Sequence, residues 1–427
     1  MSVAHVESAP MTATEHRASF FRQSGWLMFA NVAGGALMYG VHLVAKVIPE
    51  KEYAIFGALL ALTICVPTMP LQMLFAQQTA AALVTGRVRQ LTGMFRRVWL
   101  VITLIWLVVA LVVLLAQNQL LAFWQISNPA ALWVTLLVIL VSALLPMFLG
   151  LVQGRQDFLT FGFAMIVNGI GRVGACAVIV LLLGGFAAGV MTGALVGLSL
   201  ALGLAMWKSS SLWFGPSDPF HRDTLRREVL PLIVGFGSCQ FLMAADTLCV
   251  TAYLPENAQC YVAAGTLSRA MVWAVGPLTA VMFPRIVASA VRSEKSNLFG
   301  LTLACTAGIA IASAFGLWLL GPWVVRIMAK PSYVEVTTQI LPWYAGAMVP
   351  LCLANVLASN LLGKSQFGVV IPMAVLAVLY GVTLVFVHGS FVQVLQLLGL
   401  FNLGLLLICA WFTWRTPKAT ESAVATA

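Results

Sequence analysis

Charged residues are scarce in this sequence, because Asp, Glu, Lys and Arg make up only 8% of its 427 residues. Soluble domains contain about 25% charged residues. Hydrophobic residues account for 61% of the chain, so there are too few polar side chains to coat a water-soluble globule. This composition excludes a soluble enzyme, a secreted disulfide scaffold and a disordered regulator, and it indicates a helical protein that crosses a membrane many times.

Motifs for catalysis and for metal binding are missing as well. The eight cysteines are scattered, without a Cys-x-x-Cys pair or a histidine at metal-ligand spacing. The sequence has no P-loop, no Ser/His/Asp set and no paired carboxylates at one depth. We therefore expect a protein that is not an enzyme and that needs no metal, cofactor or bound ATP. No basic run outside the spans is interleaved with aromatics, so nucleic acid is not an expected partner despite the net charge of +10.

Apolar runs long enough to cross a bilayer occur about twelve times along the chain. No signal peptide is expected, because residues 1–19 are polar and the first apolar run is long enough to remain in the membrane. The expected spans are 24–45, 53–78, 98–116, 130–152, 159–183, 186–207, 230–252, 261–284, 298–320, 338–361, 367–387 and 391–413.

Positive charge is unevenly divided between the two ends of these spans. With a cytoplasmic N-terminus, the cytoplasmic segments contain 17 Lys and Arg residues and the opposite segments contain four, namely Lys46, Lys51, Arg326 and Lys330. Short cytoplasmic loops carry the excess of Lys and Arg in membrane proteins. We therefore expect both termini in the cytoplasm, which agrees with an even number of crossings.

The expected fold class is an all-α polytopic membrane protein with about 12 transmembrane helices in two pseudo-symmetric six-helix lobes. The largest polar stretch between spans lies in the middle of the chain and is rich in Ser, Gly and charge, which is typical of a flexible hinge. The expected units are a cytoplasmic tail at 1–23, an N-lobe at 24–207, a cytoplasmic hinge at 208–229, a C-lobe at 230–413 and a second tail at 414–427.

Two short matches indicate that the lobes are repeats of one another. At an offset of 208 residues, Tyr53 at the start of the second span falls on Tyr261 at the start of the eighth. At an offset of 209, the turn 154–158 resembles the turn 363–367. Six helices per repeat give both halves the same orientation, an arrangement found in transporters that rock two halves around a central cavity.

Prolines occur at comparable depth in the second and eighth spans, as Pro67 and Pro70 in one and Pro277 in the other. A proline removes a backbone hydrogen bond and kinks a helix, so both spans are candidates for bending during gating. The alternative is that prolines are simply common in membrane helices.

Arg172 is the strongest candidate for binding an anionic substrate group. It lies near the middle of the fifth span, with Asn168 one helical turn earlier and no acidic residue in the same helix. A charge at bilayer depth costs about 2.5–3.5 kcal/mol on insertion scales and calls for a partner, water or a ligand. A guanidinium binds phosphate in a bidentate manner. The alternative is a packing role in which Arg172 bonds to carbonyls or to a distant acid.

A second arginine, Arg269 in the eighth span, lies at a depth similar to that of Asp246 in the seventh. Adjacent antiparallel helices can bring the two together as a structural pair or a gate. If they do not meet, Arg269 is a second anion site and Asp246 a proton carrier. His42 titrates near neutral pH when unperturbed and is a further candidate for gating or coupling, although a lone membrane histidine more often serves packing.

Uncharged amides are candidates for lining a hydrophilic, sugar-compatible cavity. Each of them is equally explained by hydrogen bonds between helices. They are Asn31, Gln72, Asn168, Gln240 and Asn355.

Several segments resemble polysaccharide-export flippases of the multidrug/oligosaccharidyl-lipid/polysaccharide (MOP) superfamily. The run Val-Ile-Pro-Glu-Lys-Glu-Tyr-Ala-Ile-Phe at 47–56 is similar to the turn between helices 1 and 2 of those flippases. The run Gln-Gly-Arg at 153–155, with Arg172 downstream, resembles their helix 4–5 region.

The second half of the chain carries a further resemblance. Asp246, the run Tyr-Val-Ala-Ala at 261–264 and the run Phe-Pro-Arg-Ile at 283–286 are similar to the flippase pattern "Asp … Gly-x-Tyr-x-x-Ala … Phe-Pro-Arg". One departure is Cys260, which stands where a Gly usually precedes the tyrosine. A second is the expected number of twelve spans rather than fourteen, which argues against the lipid II flippase branch.

The resemblance implies a transporter in the bacterial cytoplasmic (inner) membrane that moves a polyprenyl-pyrophosphate-linked oligosaccharide from the inner to the outer leaflet for cell-surface polysaccharide biosynthesis. It implies a cationic central cavity in which Arg172 and Arg269 contact the diphosphate or the sugars. The implied partners are the lipid-linked glycan, membrane lipids and polysaccharide-assembly proteins.

Two other functions remain open at this point. A cation-coupled multidrug exporter of the sister branch needs a carboxylate deep in the N-terminal half, where Asp157 is the only acid near the core. A membrane-embedded polymerase or ligase needs a sizeable outer loop and catalytic polar residues, yet the longest expected outer loop, 321–337, is short.

Overall fold

A computed structural model describes residues 13–218, 229–291 and 298–415, without the side chains of 13–25, 28, 276–291 and 298. All regular structure in these ranges is helical. The N-lobe contains α1 (Ala13–Ala45), α2 (Glu50–Ile64), α3 (Thr68–Thr85), α4 (Val88–Leu115), α5 (Gln117–Phe123), α6 (Pro129–Gly154), α7 (Phe158–Leu183), α8 (Phe186–Lys208) and α9 (Ser210–Trp213).

The C-lobe contains six long helices and two short 3₁₀ segments in its described part. These are α10 (Leu230–Tyr253), α11 (Ala258–Val291), α12 (Leu298–Met328), a 3₁₀ segment at Pro331–Tyr333, α13 (Val334–Gly363), a 3₁₀ segment at Phe367–Val369, α14 (Val370–Phe386) and α15 (Phe391–Arg415). Ten spans of helix in the described chain are long and apolar enough to cross a membrane, and a shorter apolar stretch of α1 adds to them.

Each lobe is held together by packing among its own helices. In the N-lobe, α7 packs on α1 and α8, and α6 packs on α3 and α8. In the C-lobe, α13 packs on α11, α12 and α15, and α10 packs on α14. The predicted fold class, an all-α membrane protein with two helical lobes, is confirmed.

The second predicted span is interrupted in the middle. Helix α2 ends at Ile64 and α3 begins at Thr68, because Pro67 and Pro70 supply no backbone N–H to continue the helical ladder. Pro67 precedes the first residue of α3 and offers no side-chain cap. The eighth span differs, since the backbone of α11 is helical without interruption through Pro277, whose side chain lies outside the described residues.

The linker between the lobes is partly attached to the N-lobe. Arg96 donates from Nε to the carbonyl of Trp213 (3.0 Å) and from Nη2 to that of Gly215 (2.8 Å). The amide of Asp218 donates to the carbonyl of Arg89 (3.1 Å). Residues 209–218 therefore lie against α4. The rest of the expected hinge falls largely on 219–228, which lie outside the described residues.

The lobes meet most closely at one end of the bundle, which we call the closed end. It carries the α1–α2 turn (46–49), the α10–α11 turn (254–257) and the segment after α12 (329–333). Helix α2 packs there against α10 and α11, and a side chain in place of Gly57 would meet Val262 of the other lobe. The absence of a side chain at Gly57 thus lets α2 and α11 approach closely.

Two lysines make reciprocal contacts across the closed end. Lys46 of the N-lobe donates to the carbonyl of Ile327 (2.9 Å), in the last turn of α12. Lys330 of the C-lobe donates to the carbonyl of Ile48 (2.7 Å), in the turn that follows α1. The Lys46 ammonium therefore caps the C-terminal end of α12, where the helix dipole favours positive charge, whereas the Lys330 ammonium binds the turn between α1 and α2.

Glu50 adds a third connection between the lobes. Its carboxylate accepts from Ser332 Oγ (2.9 Å) and from Gln259 Nε2 (3.3 Å), both in the C-lobe. Glu52, one residue beyond Lys51, points into its own lobe and accepts from the amide of Ala187 (3.1 Å). The first turn of α2 thus divides its acids between the two lobes.

We predict that replacing both Lys46 and Lys330 with Ala opens the closed end. Losing two charge-assisted hydrogen bonds at half-buried positions shifts the balance by about 1 kcal/mol, or about fivefold in population. The measurement is the distance between spin labels at Ala130→Cys and Glu256→Cys, in a background without the eight native cysteines. The control is Lys51→Ala, since Lys51 is an exposed neighbour on the same turn. Identical distance distributions for the double variant and the control contradict the assigned role.

Candidate functional site

A buried acid lies at the centre of a polar cluster in the C-lobe. Asp246 on α10 is 0% exposed and forms an ion pair with Arg269 on α11, with Nη2 3.0 Å from Oδ1. Tyr261 donates to Asp246 Oδ2 (2.9 Å), and the Tyr344 hydroxyl on α13 donates to the same oxygen. Asp246 and Arg269, which the sequence placed at similar depth on neighbouring spans, are thus in contact.

The donors of Arg269 are used largely within the C-lobe. Its Nε donates to the carbonyl of Met243 (2.8 Å), and its Nη2 also contacts the hydroxyls of Thr247 and Tyr344. A side chain at Gly265 would lie 2.9 Å from the Tyr344 hydroxyl and 3.1 Å from Arg269 Nη1, so glycine leaves room for the cluster. Arg269 as a contact for a substrate head group stays a prediction, and in this conformation its charge is balanced by Asp246.

The repeat is visible in the contacts of its two matched tyrosines. Tyr261 at the start of α11 bonds to Asp246 on the preceding helix α10. Tyr53 at the start of α2 shares a hydrogen bond of 3.2 Å with His42 Nδ1 on the preceding helix α1. The tyrosine at the matched position therefore bonds to a polar side chain of the preceding helix in each lobe. This side chain is an acid in the C-lobe and an imidazole in the N-lobe.

Arg172 is buried in the N-lobe, where no carboxylate of the described residues forms an ion pair with it. Its side chain is 9% exposed, and its Nε has no hydrogen-bond partner among the described residues. Side chains at Gly193 and Gly197 of α8 would collide with the α7 backbone at Arg172, so the two helices touch here. Asn168, one turn earlier, also has a buried oxygen, Oδ1, without a partner in the described chain.

The surroundings of Arg172 contain an imidazole rather than a carboxylate. His42 on α1 lies within electrostatic range of the guanidinium and is 6% exposed. Among the described residues, Asp246 is the only buried acid, and it is paired with Arg269 in the other lobe. No described acid therefore compensates the positive charge of Arg172 in the N-lobe interior.

A cavity of about 110 Å³ lies between the lobes. The break in the second span forms its N-lobe wall and α10, α11 and α13 form its C-lobe wall. The described lining carries no charged side chain, which differs from the cationic cavity that the resemblance implied. The lining residues are Pro67, Thr68, Met69, Pro70, Phe236, Cys239, Gln240, Met243, Val272, Trp273, Val275, Cys352, Asn355 and Ser359.

The five predicted amides are distributed over different environments. Gln240 and Asn355 line the inter-lobe cavity. Gln72 instead donates to Gln153 Oε1 (2.9 Å) inside the N-lobe, which is the interhelical alternative. Asn168 lies beside Arg172 on α7, and Asn31 is half-buried on α1; neither is among the residues that line the cavity.

Sequence reasoning missed several residues that the structure brings into these sites. Tyr344 and Thr247 complete the Asp246 cluster, and nothing in the local sequence distinguishes them from packing residues. Lys46 and Lys330 could have been found from the sequence, because they are two of only four basic residues on the expected outer side. A lysine that departs from the positive-inside bias is a candidate for a specific bond.

Comparisons with known proteins place the chain by its fold alone. No protein-family profile matches the sequence, and no curated protein matches it significantly. The structure is similar to that described as an "Inward-facing conformation of a multidrug resistance MATE family transporter of the MOP superfamily", with a TM-score of 0.68, 13% identity and coverage of 90% of this chain and 94% of that one.

Two further solved structures extend the similarity to other branches. The lipid II flippase MurJ, in an inward closed conformation, has a TM-score of 0.64 at 13% identity, over 92% of this chain and 87% of its own. A MOP superfamily transporter from Pyrococcus furiosus, described as having a binding pocket of reverse polarity, has a TM-score of 0.61 at 14% identity, over 92% of both chains. The chain therefore has the fold of the MOP superfamily transporters.

Proposed function

We propose that this transporter moves a polyprenyl-pyrophosphate-linked oligosaccharide from the inner to the outer leaflet of a bacterial cytoplasmic membrane by alternating access. The observation that carries the proposal is the uncompensated guanidinium of Arg172 in the N-lobe interior. Such a carrier supplies cell-surface polysaccharide biosynthesis and works alongside polysaccharide-assembly proteins.

The orientation in the membrane follows from the distribution of basic residues. The positive-inside bias assigns both termini to the cytoplasm and the closed end to the outer side. In this orientation the described conformation is closed toward the outside. Lys46, Lys330 and Glu50 then form an outer gate, which must separate before a substrate can leave.

The charge balance inside the membrane supports an anionic substrate. Among the buried described residues, Arg172 and Arg269 contribute two positive charges and Asp246 contributes one negative charge. An unpaired charge at this depth costs about 2.5–3.5 kcal/mol on insertion scales. A bound diphosphate offsets this free-energy cost, since the guanidinium donates charge-assisted hydrogen bonds to phosphate oxygens.

A multidrug exporter is the second candidate, and the cavity is the observation that favours it. Its described lining is uncharged and largely apolar, which suits an amphiphilic drug. Coupling to a cation gradient, however, needs a buried carboxylate that is free to bind the cation. Asp246 is already neutralised by Arg269, and Asp157 caps the first turn of α7 by accepting from the Thr160 amide (3.1 Å).

The proposal predicts that Arg172→Gln slows translocation by about ten- to hundredfold, the value of a lost hydrogen bond to a charged group. Arg172→Lys keeps the charge but loses the bidentate geometry, so an intermediate rate is expected. The measurement uses proteoliposomes with a fluorescent polyprenyl-diphosphate disaccharide and follows its accessibility to an added, membrane-impermeant glycosidase.

The matched control for this experiment is Arg326→Gln, since Arg326 is exposed at the end of α12. A wild-type rate in Arg172→Gln, with equal protein insertion, contradicts the assignment of Arg172. Gradient-driven export of an organic cation by the wild type, without movement of the glycolipid, instead identifies the multidrug exporter.

The Asp246–Arg269 pair gives a separate test of ion coupling. Asp246→Asn leaves a buried guanidinium unpaired, which costs about 3–5 kcal/mol and lowers the melting temperature in detergent. The double variant Asp246→Asn/Arg269→Gln removes both charges, so we expect it to regain most of the stability. If Arg269 only neutralises Asp246, the double variant also translocates the glycolipid, whereas a contact between Arg269 and the head group predicts slower but measurable translocation.

A coupling carboxylate predicts a different outcome for the same double variant. The double variant would fold as stably as the wild type but would lose transport completely, because no group would remain to bind the cation. Transport is therefore measured only after the melting temperatures of the single and double variants are known.

A further inference from the structure

His42 on α1 lies beside Arg172 on α7, because the two helices are parallel and closely packed. Residue numbers rise together along their three glycine contacts, which pair Gly34 with Met165, Leu37 with Gly169 and Gly40 with Val173. His42 is accordingly less than one turn, or about 5 Å, beyond Arg172 toward the closed end. The guanidinium is close enough to act electrostatically on the imidazole.

The imidazole of His42 is buried and is bonded to a tyrosine. Its Nδ1 shares a hydrogen bond of 3.2 Å with the Tyr53 hydroxyl, and its ring lies 5.5 Å from that of Phe56, measured between centroids. A tyrosine hydroxyl can donate to a neutral imidazole nitrogen and can accept from a protonated one. The bond to Tyr53 is therefore compatible with both charge states of His42.

A small space of about 10 Å³ lies beside His42 at the seam between the lobes. His42 and Tyr53 line it from the N-lobe. Its C-lobe lining is uncharged and consists of Ala263, Thr266, Leu267, Met328 and Ala329. The space has about the size of one water molecule, so water can bring a proton to the imidazole there.

The other titratable groups on the elements around His42 bond to, or pack against, other residues. They are Tyr39 and Lys46 on α1, Glu50 and Glu52 on α2, Cys176 on α7 and Lys330 after α12. The Tyr39 hydroxyl, for example, donates to the carbonyl of Thr266 (3.2 Å). Among the described residues, no carboxylate forms an ion pair with His42 or with Arg172.

The proposed substrate carries more charge than Arg172 can balance. A diphosphate that links a polyprenyl chain to a sugar is a diester with one ionised oxygen on each phosphorus, so it has two negative charges. Arg172 supplies one positive charge, and Arg269 is already neutralised by Asp246. One negative charge is left over, which is unfavourable at bilayer depth.

We propose that His42 takes up a proton when the diphosphate binds at Arg172, so that the guanidinium and the imidazolium together balance the two charges of the substrate. The inference rests on the proposed function and identifies the ion that accompanies its substrate. The proton comes from water and goes to the imidazole, whose Nδ1 keeps its bond to Tyr53. Each translocated diphosphate then carries one proton with it.

Binding of the substrate and binding of the proton favour one another in this arrangement. Without substrate, the guanidinium charge opposes a second positive charge beside it, whereas the bound dianion favours one. By linkage, a proton on His42 strengthens diphosphate binding by the same factor as the diphosphate strengthens proton binding. The affinity for the diphosphate therefore decreases as the pH rises.

The test counts the protons that bind together with the lipid. Isothermal titration calorimetry of the purified full-length protein, at one pH in buffers of different ionisation enthalpy, measures this number. The ligands are a polyprenyl-diphosphate disaccharide and a polyprenyl-monophosphate disaccharide with the same chain and sugars. The monophosphate is the control, since its diester has a single negative charge that Arg172 balances alone.

We expect the wild type to take up about one proton with the diphosphate and none with the monophosphate. Its affinity for the diphosphate should fall by up to about tenfold per pH unit between about pH 6 and about pH 8. Its affinity for the monophosphate should stay constant over this range, because no proton is bound with it. This comparison needs no variant, so it does not depend on how a substitution folds.

His42→Asn removes the titratable group and keeps a side chain that can bond to Tyr53. We expect this variant to lose both the proton uptake and the pH dependence, with an unchanged affinity for the monophosphate. The matched control is His388→Asn, since His388 stacks on Tyr253 in the C-lobe, with ring centroids 4.1 Å apart. The control should keep both properties.

Diphosphate binding by the wild type without proton uptake overturns the inference and leaves the proposed function intact. Uptake that persists in His42→Asn assigns the proton to another group and overturns the role of His42. Equal uptake with the monophosphate contradicts the charge balance. If the wild type binds neither lipid, the proposed function fails as well.

Discussion

A charge placed in hydrocarbon must find its counter-charge in the protein or in a ligand, and the two lobes meet this requirement differently. In the C-lobe, Arg269 and Asp246 neutralise one another and two tyrosine hydroxyls complete the arrangement. In the N-lobe, Arg172 has no acid nearby in the described structure. The two lobes thus differ in charge balance: the buried charges of the C-lobe neutralise one another, whereas no described acid neutralises Arg172 in the N-lobe.

The same asymmetry extends to the second helix of each repeat. In the N-lobe this helix is divided at Pro67, and its second half begins at the inter-lobe cavity. In the C-lobe the backbone of α11 is continuous. A broken helix presents backbone donors that a continuous helix keeps in its own ladder, so the second helices of the two lobes differ in the backbone groups that they offer at mid-length.

Much of the architecture follows from the sequence because the membrane constrains it strongly. Runs of about 20 apolar residues must be helical in a bilayer, where every backbone group needs an internal partner. The Asp246–Arg269 contact could also be predicted from the sequence, since two opposite charges at equal depth on neighbouring helices have few other partners. The hydrogen bond from Tyr344 to Asp246 could not be predicted, because α13 is distant in sequence and its register against α10 is set by packing.

The polarity of the cavity could not be read from the list of polar residues. Gln72 and Gln240 look alike in sequence, yet one bonds to Gln153 inside a lobe and the other faces the cavity. Which face of a helix meets the partner lobe depends on the break at Pro67 and on close approaches such as that at Gly57. These are properties of the packed lobes rather than of any single helix.

The docked first half of the linker has a consequence for how the lobes are connected. Because residues 209–218 lie on the N-lobe, their contacts with α4 hold this part of the linker to one lobe and do not join the two lobes. The bonds of Lys46 and Lys330 at the closed end, by contrast, cross from one lobe to the other. A movement of one lobe against the other would therefore carry the docked segment along with the N-lobe while it strains or breaks the lysine bonds.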